Sequence, residues 1–400
     1  MILLVITTGS FPSGEAASNR SVSYLKGLVE LGIKVKVILL QPDKKQSIKN
    51  TIKKGEFYGI QYEYANCQSN LNISKINKIF NRIKSHRIAF NRAKSLIKIK
   101  KNKVKILLLV TKPYDILPYM LLSKLYRISV FHERTEYPFL NTRNALQKVS
   151  LWFYLKFLIP RFDGIFVITQ ALVAYFSKYT GNKTRIIHIP MTVEVERFSE
   201  NNERINEFGE YIAYCGSMYT DKDGVPDLIQ AFSVLGKSEI RINLLLIGDN
   251  SDKRKFELIQ NCINSSPFKD RIFCIGRVER DDMPKYLNNA KILALARPDN
   301  IQAKGGFPTK LGEYLSTGKP VVVTKVGEIP NYLRDKENAF LSEPDNPNNF
   351  AQKMMEVLSD YDQALMIGQK GKEVALSTFS YKVQAVTLLQ FIKKTPYYCE

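Results

Sequence analysis

The chain has 400 residues, 44% of them hydrophobic and 24% charged, with a formal net charge of +21. That length exceeds one ordinary core and suits two α/β domains of about 200 residues each, and the composition excludes a disordered chain. Nowhere do about 18 apolar residues run without a charge, which excludes a transmembrane helix.

The first segment, MILLVITTGSFPSG, has no basic leader and only a short apolar run, so it reads as a strand and not as a signal peptide. The protein is therefore expected in the cytoplasm. From there, apolar runs of four to seven residues alternate with amphipathic segments, the pattern of a parallel sheet with crossover helices. The predicted strands of the first half are 2–7, 34–40, 105–110, 128–132, 164–169 and 185–190. Edge-type alternation is largely absent, and the near-continuous apolar character of LLLIG and VVVT in the second half fits strands covered on both faces. After the first strand, Gly9 and Gly14 let the backbone approach a ligand, and the next helix offers its amino terminus to an anion. An ordinary strand-to-helix turn reads the same way.

Residues 1–200 carry 33 Lys and Arg against 12 Asp and Glu, whereas residues 201–400 hold 26 of each sign. No acidic residue lies between Glu63 and Asp115, where Ile73, Ile76, Phe80, Ile83 and Phe90 fall near helical spacing among lysines and arginines. Such a basic amphipathic helix suits anionic lipid, at about 1 kcal/mol per basic residue near the surface. Nucleic acid phosphates would also attract it, and a solvated face over a core stripe is the plain alternative. Residues 146–162, LQKVSLWFYLKFLIPRF, place the only tryptophan among Phe and Tyr with flanking cations, which favours an interfacial surface.

The second half repeats the alternation, with predicted strands at 211–216, 242–248, 271–276, 291–296, 320–324 and 339–342. A polar, acidic stretch at 190–210 reads as the hinge. The expected organisation is two Rossmann-like doubly wound domains, 1–190 and 191–378, facing across a cleft, with 379–400 returning as a helix to the first. The five cysteines, Cys67, Cys215, Cys262, Cys274 and Cys399, are too scattered for a metal or redox motif and read as reduced thiols.

The richest segment is GGFPTKLGEYLSTGKPVVV at 305–323, a glycine pair before a helix that runs into a buried strand. Gly305 and Gly306 permit close backbone contact with a sugar or phosphate, and Thr309 is placed to cap the helix beginning near Lys310. Glu313, one turn inward, is suited to accept hydrogen bonds from the vicinal hydroxyls of a ribose. FHERTEYP sets His132, Glu133 and Glu136 just after an apolar strand, where a histidine polarises a hydroxyl or serves the core. His86 falls in the basic helix and His188 in an apolar strand. Asp221-Lys222-Asp223 is formally a DxD, a metal-binding triplet in some transferases and common by chance.

FPTKLGEYLSTGKPVV resembles the donor-site segment of the family 4 glycosyltransferases, retaining enzymes of the GT-B fold. The resemblance extends along most of the chain: FPSGEAASNRSVSYLKGLVELGIKVKVI is similar to the family's first glycine loop and helix, and DGIFVITQALVAYF with IIHIPMTVEVERF to its interdomain entry. YCGSMYTDKDGVPDLIQAF is similar to the start of its second domain, and YKVQAVTLLQFIKK to the last helix, which crosses back and braces the hinge. The resemblance implies transfer of a sugar from a nucleoside diphosphate donor, bound by the second domain, to an acceptor hydroxyl bound by the first. It implies Glu313 for the donor ribose, Lys222 and Lys310 for the diphosphate, Arg277 beside the nucleobase and His132 at the acceptor side. Gly14, Gly216, Gly306, Phe307, Pro308 and Thr309 complete the implied donor-binding set. Gly305 stands where the family carries its first paired glutamate, and Ser217 where it often carries an arginine. The first departure is shared by a capsule or O-antigen subgroup, which points to surface polysaccharide synthesis on a lipid-linked saccharide. Same-face attack with the leaving phosphate as base needs no metal or other cofactor. The implied location is cytoplasmic, peripheral on the inner face of the cell membrane. A nucleotide-sugar 2-epimerase using Glu133 and Glu136, a non-catalytic sugar-nucleotide-binding protein, and a nucleic-acid-binding protein are the other readings; no RNA-binding signature supports the last.

Overall fold

Runs such as LLVIT and KILLLV become inner strands of a parallel sheet because helices cover such a sheet on both faces and leave no solvent side for polar residues. The computed structural model describes residues 1–12, 14, 16–41, 53–66, 74–100, 103–142, 144–199, 205–218, 222–248 and 253–395. It divides into two units, Met1–Thr192 with Tyr381–Glu400, and Val193–Ser380.

The first unit contains β1 (Ile2–Thr7), α1 (Ala16–Glu30), β2 (Lys34–Leu39), β3 (Lys54–Phe57), β4 (Ile60–Tyr64), α2 (Lys75–Lys100), β5 (Val104–Leu109), α3 (Pro113–Tyr126), β6 (Val130–Arg134), α4 (Ala145–Phe153), β7 (Gly164–Val167), α5 (Gln170–Ser177) and β8 (Arg185–His188). The strand order is β3-β4-β2-β1-β5-β6-β7-β8. At its centre Val5 of β1 lies beside Val37 of β2 and Leu107 of β5. Parallel crossovers are right-handed, so α1, stepping from β1 to β2, covers one face, while α2 to α5, stepping the other way, cover the opposite face.

The second unit contains β9 (Tyr211–Cys215), α6 (Val225–Leu235), β10 (Asn243–Ile247), α7 (Lys253–Asn264), β11 (Ile272–Gly276), α8 (Met283–Asn289), β12 (Ile292–Leu295), α9 (Ile301–Gly305), α10 (Thr309–Thr317), β13 (Val321–Thr324), α11 (Ile329–Tyr332), β14 (Phe340–Ser342), α12 (Pro347–Ser359) and α13 (Tyr361–Val374). Its six strands run parallel in the order β11-β10-β9-β12-β13-β14. The last helix, α14 (Tyr381–Lys394), belongs to the first unit and packs on α1. Gly27 makes that contact close, since a Cβ there would lie 2.6 Å from the Ala385 Cβ. Tyr381 also donates its hydroxyl to Glu30 at 2.9 Å.

Three sequence readings are corrected. The chain does have edge-type alternation: β3 and β4 form an antiparallel hairpin at the sheet edge, turned by Tyr58 and Gly59 with φ of 51° and 74°. Its sequence, KGEFYGIQYEY, is polar and aromatic, so it does not read as a buried run. The basic helix exists, but its inward face is Ser85, Ala89, Ala93 and Ile97, whereas Ile76, Phe80 and Ile83 are exposed. Ile73 lies outside the described residues. Finally, β6 runs on to Arg134, so His132 and Glu133 sit inside the strand, not after it.

His132 is fully buried, stacked on Phe162 with ring centroids 4.7 Å apart. Its Nδ1 faces the Leu108 carbonyl at 2.9 Å, which can only accept, so Nδ1 carries the proton. Nε2 then accepts from the Tyr154 hydroxyl at 2.7 Å. Burial, reinforced by the neighbouring Arg134, holds the imidazole pKa down to about 3. The residue is a neutral core histidine with both nitrogens engaged, which removes it from the acceptor chemistry. Glu133 is equally committed: Oε1 takes Arg20 Nε and Oε2 the Tyr24 hydroxyl, each at 2.9 Å.

The unfolded imidazole takes up its proton near pH 6.5 and the folded one only near 3, so this part of the stability is complete above about pH 6.5 and is lost as pH falls toward 3. The melting temperature should decline progressively below pH 6.5, and His132→Gln, which cannot charge, should flatten that decline.

Candidate functional site

In the second sheet the chain steps from β9 outward to β10 and β11, then returns to β12 on the other side of β9. The carboxyl ends of β9 and β12 are therefore the switch point at which open α/β sheets leave a crevice for ligand. The unusual backbone of this unit gathers there. Gly216, directly after β9, has φ of 152°, and its carbonyl oxygen would meet a Cβ on Gly248, after β10, at 1.9 Å. Gly224 has φ of 62° and presses so closely on the end of β12 that a Cβ would lie 1.8 Å from the Ala296 carbonyl oxygen.

Lys310, in the first turn of α10, reaches across this junction. Its Nζ occupies the space above Gly216, where a Cβ would approach it to 1.8 Å. Nζ donates to Asp223 Oδ2 at 2.7 Å and to the Tyr214 hydroxyl at 3.0 Å. The Tyr214 hydroxyl in turn lies 2.8 Å from the Ser217 carbonyl. Burial disfavours the Asp223 carboxylate, but the Lys310 charge and hydrogen bond outweigh it and set the pKa below the ordinary value. Lys222, half-buried beside Asp223, adds a second positive charge. Tyr314, one turn along α10 from Lys310, accepts the Cys215 N–H at 2.6 Å and so fixes α10 to the end of β9. Burial, aided by Glu313, pushes the Cys215 thiol up to about 12, which leaves it inert.

Glu313 follows Lys310 by three positions and shares its helix face. It is partly exposed, and Oε1 lies 3.5 Å from Nη1 of Arg197. Arg197 is itself largely enclosed, which lowers its pKa, with Arg280 adding to the effect. It donates to the Arg280 carbonyl, and Arg280 pairs with Glu194. Two lysines, the start of α10 and the Glu313 carboxylate thus lie near one strand end, a set suited to a phosphorylated polyol.

Other predicted residues fall elsewhere or act differently. Thr309 does not cap α10; it is the helix's first residue after Pro308, and no side-chain cap bond forms. Gly305 ends the short helix α9, and Gly306 closes it with an N–H to the Gln302 carbonyl at 3.0 Å. Phe307 packs edge-on to Tyr332 and against Phe379, so it anchors the segment internally. Arg277 is exposed directly after β11. In the other unit, Gly14 folds back on the first turn of α1, where a Cβ would lie 2.5 Å from Ser18 Oγ. Asp221 of the DxD lies outside the described residues, and Asp223 is held by Lys310. Tyr214, Asp223 as the lysine's partner, and Arg197 were not read as site residues: Lys310 is 87 positions from Asp223, and Glu313 is 116 from Arg197.

Residues 209–360 match the family described as glycosyl transferases group 1. An uncharacterized glycosyltransferase of Methanocaldococcus jannaschii is 23% identical over 223 residues, covering 55% of this chain and 57% of that protein. The chain spans about half the length of the curated relatives it matches. Sucrose-phosphate synthase from Thermosynechococcus elongatus superposes with a TM-score of 0.76 at 15% identity, over 98% of both chains. Anabaena HepE, solved with UDP and glucose, gives 0.71 at 14% identity over 98% of this chain and 99% of that one. The two doubly wound units have the GT-B fold.

Gly224→Ala should lower the unfolding free energy in urea by about 3 kcal/mol, because backbone strain adds to a clash with a carbonyl that has no rotamer to escape into. Gly32→Ala, at φ of 80° with nothing within 4 Å, should cost only about 1 kcal/mol.

Proposed function

We propose that the chain is a glycosyltransferase that moves a hexose from a nucleoside diphosphate sugar to an acceptor hydroxyl with retention of configuration. The observation that carries this is the Lys310 ammonium held over Gly216 at the switch point, with Glu313 on the same helix face. A departing diphosphate gains charge as the glycosidic bond breaks, and cations fixed in place before the reaction stabilise that charge without reorganising. Lys310 and Lys222 fill this role beside the amino-terminal N–H groups of α10. Glu313 accepts hydrogen bonds from the two ribose hydroxyls. Asp223 holds Lys310, and a bound diphosphate would share the lysine between the two anions. The match of residues 209–360 to the group 1 transferases supports the reading, and HepE of the same fold, solved with UDP and glucose, supports a nucleotide donor.

The finer reading rests on the resemblance of FPTKLGEYLSTGKPVV to the capsule and O-antigen subgroup. It makes the acceptor a lipid-linked saccharide bound by the first unit, the pathway surface polysaccharide synthesis, and the location cytoplasmic, peripheral to the inner face of the cell membrane. Metal-independent chemistry is supported by Lys222 and Lys310, which supply positive charge from the chain itself. The epimerase alternative loses support from Glu133, whose two oxygens are taken by Arg20 and Tyr24.

Calorimetry with UDP, GDP, ADP and their sugars should give micromolar binding of one nucleotide, and Glu313→Ala should weaken it about tenfold or more, the loss of a charged hydrogen-bond acceptor. Lys310→Ala should depress turnover more than binding of the intact donor, since the lysine acts most strongly on the developing charge. With donor and acceptor supplied, the rate should be unchanged by EDTA and the product anomer should match the donor. Failure of every nucleotide to bind would overturn the proposal; binding without turnover would leave a sugar-nucleotide-binding protein.

A further inference from the structure

Three neighbouring helices on one face of the first sheet turn apolar stripes toward solvent. In α2 the stripe is Ile76, Ile79, Phe80 and Ile83, at i, i+3, i+4 and i+7, each at least 59% exposed. This is the spacing of a helix face made to be buried, yet none of residues 76–84 is buried. In α3, Tyr114, Leu117, Leu121 and Leu125 face outward while Ile116, Tyr119 and Leu122 face in. In α4, Leu146, Val149 and Trp152 are 82%, 63% and 54% exposed, and no residue of the helix is buried. The Arg82 guanidinium over the Tyr114 ring ties α2 to α3, and His86 Nε2 lies 3.0 Å from Asp115 Oδ1 across the same seam. The turn Tyr154–Leu158, which continues α4, packs against α3. Exposed apolar area spread over adjacent helices marks a surface that meets something.

Charge identifies what it meets. Between Glu63 and Glu133 the sequence has one acidic residue, Asp115, and 137–162 has none. Asp115 is 2% exposed and faces inward to His86 and Arg82. The exposed charges on and beside the stripes are therefore of one sign, among them Lys78, Lys84, Arg87, Lys124, Lys148 and Lys156. The same face of a second copy would present the same cations and repel, whereas an anionic lipid surface presents the complementary sign above an apolar layer. No helix among the described residues is long and apolar enough to cross a membrane. We propose that the α2–α3–α4 face seats the chain on an anionic bilayer, with the lysines and arginines at the lipid phosphates and the apolar stripes in the acyl boundary beneath. The inference deepens the peripheral location proposed above and stands or falls separately from the donor site, which lies in the other unit.

Trp152, the only tryptophan, reports on this face alone. Adding vesicles of phosphatidylglycerol and phosphatidylcholine should shift its emission to the blue, and lipids brominated along the acyl chain should quench it; pure phosphatidylcholine should do neither. Phe80→Ser and Leu121→Ser, at exposed positions, should each reduce the vesicle partition coefficient about tenfold while leaving the melting temperature unchanged. No blue shift at low salt would overturn the proposal, as would binding that both serine variants leave intact, which would be surface electrostatics without insertion. A concentration-dependent dimer that shields Trp152 without lipid would assign the face to a second copy and overturn it equally.

Discussion

An ammonium group held above a glycine at the end of β9 is the constraint on which the candidate site depends. Lys310 can lie there only because Gly216 has no side chain, and it stays there because Asp223 and Tyr214 hold it. The pair is largely removed from water, so losing either partner would leave a lone buried charge, the most destabilising way to break such a contact. Tyr314 then ties α10 to the Cys215 backbone, and Gly224 ties the β9 loop to the end of β12. Lysine, helix start and strand end are thereby tied into one assembly at the switch point.

The first unit is organised around a buried cation of a different kind. Arg20 on α1 is 1% exposed and donates to Glu133 in β6, to the Ile189 carbonyl at 2.8 Å and to the Pro190 carbonyl after β8. It thereby joins a helix to two strand ends. With Tyr24 on the second oxygen of Glu133, this network consumes a carboxylate that the sequence presents as available for acid–base work. The same is true of His132, whose polar atoms complete the interior beneath Tyr154.

The distribution of charge and apolar surface separates the two halves of the chain by task. The neutral second half pairs Lys310 with Asp223 at a strand end and Arg197 with Glu313 one turn along the same helix. The basic first half carries nearly unopposed cations over exposed Leu, Ile, Phe and Trp, where long-range attraction and apolar contact act together. The two surfaces use the same amino acids for different purposes, and only burial and pairing tell them apart.

Twelve strands were legible in the sequence because parallel strands buried on both faces must be apolar throughout, and their order in the chain forces crossover helices. The β3–β4 hairpin was not, since an edge strand mixes Lys, Glu and Tyr and carries no such run. Lys310, Glu313 and Lys222 could be singled out from a local pattern around α10 and β9, where glycines and a helix start follow strand ends. What pairs with them was not: Asp223 and Arg197 meet their partners across 87 and 116 positions, and no local spacing encodes that. Likewise the periodicity of α2 shows that one face is apolar, but periodicity is indifferent to whether that face meets the sheet or solvent. The sequence by itself determined the two doubly wound units and singled out the candidate residues around α10 and β9. Only the tertiary structure decided which carboxylates and histidines were already spent on holding the fold, because hydrogen-bond satisfaction is a property of neighbours in space.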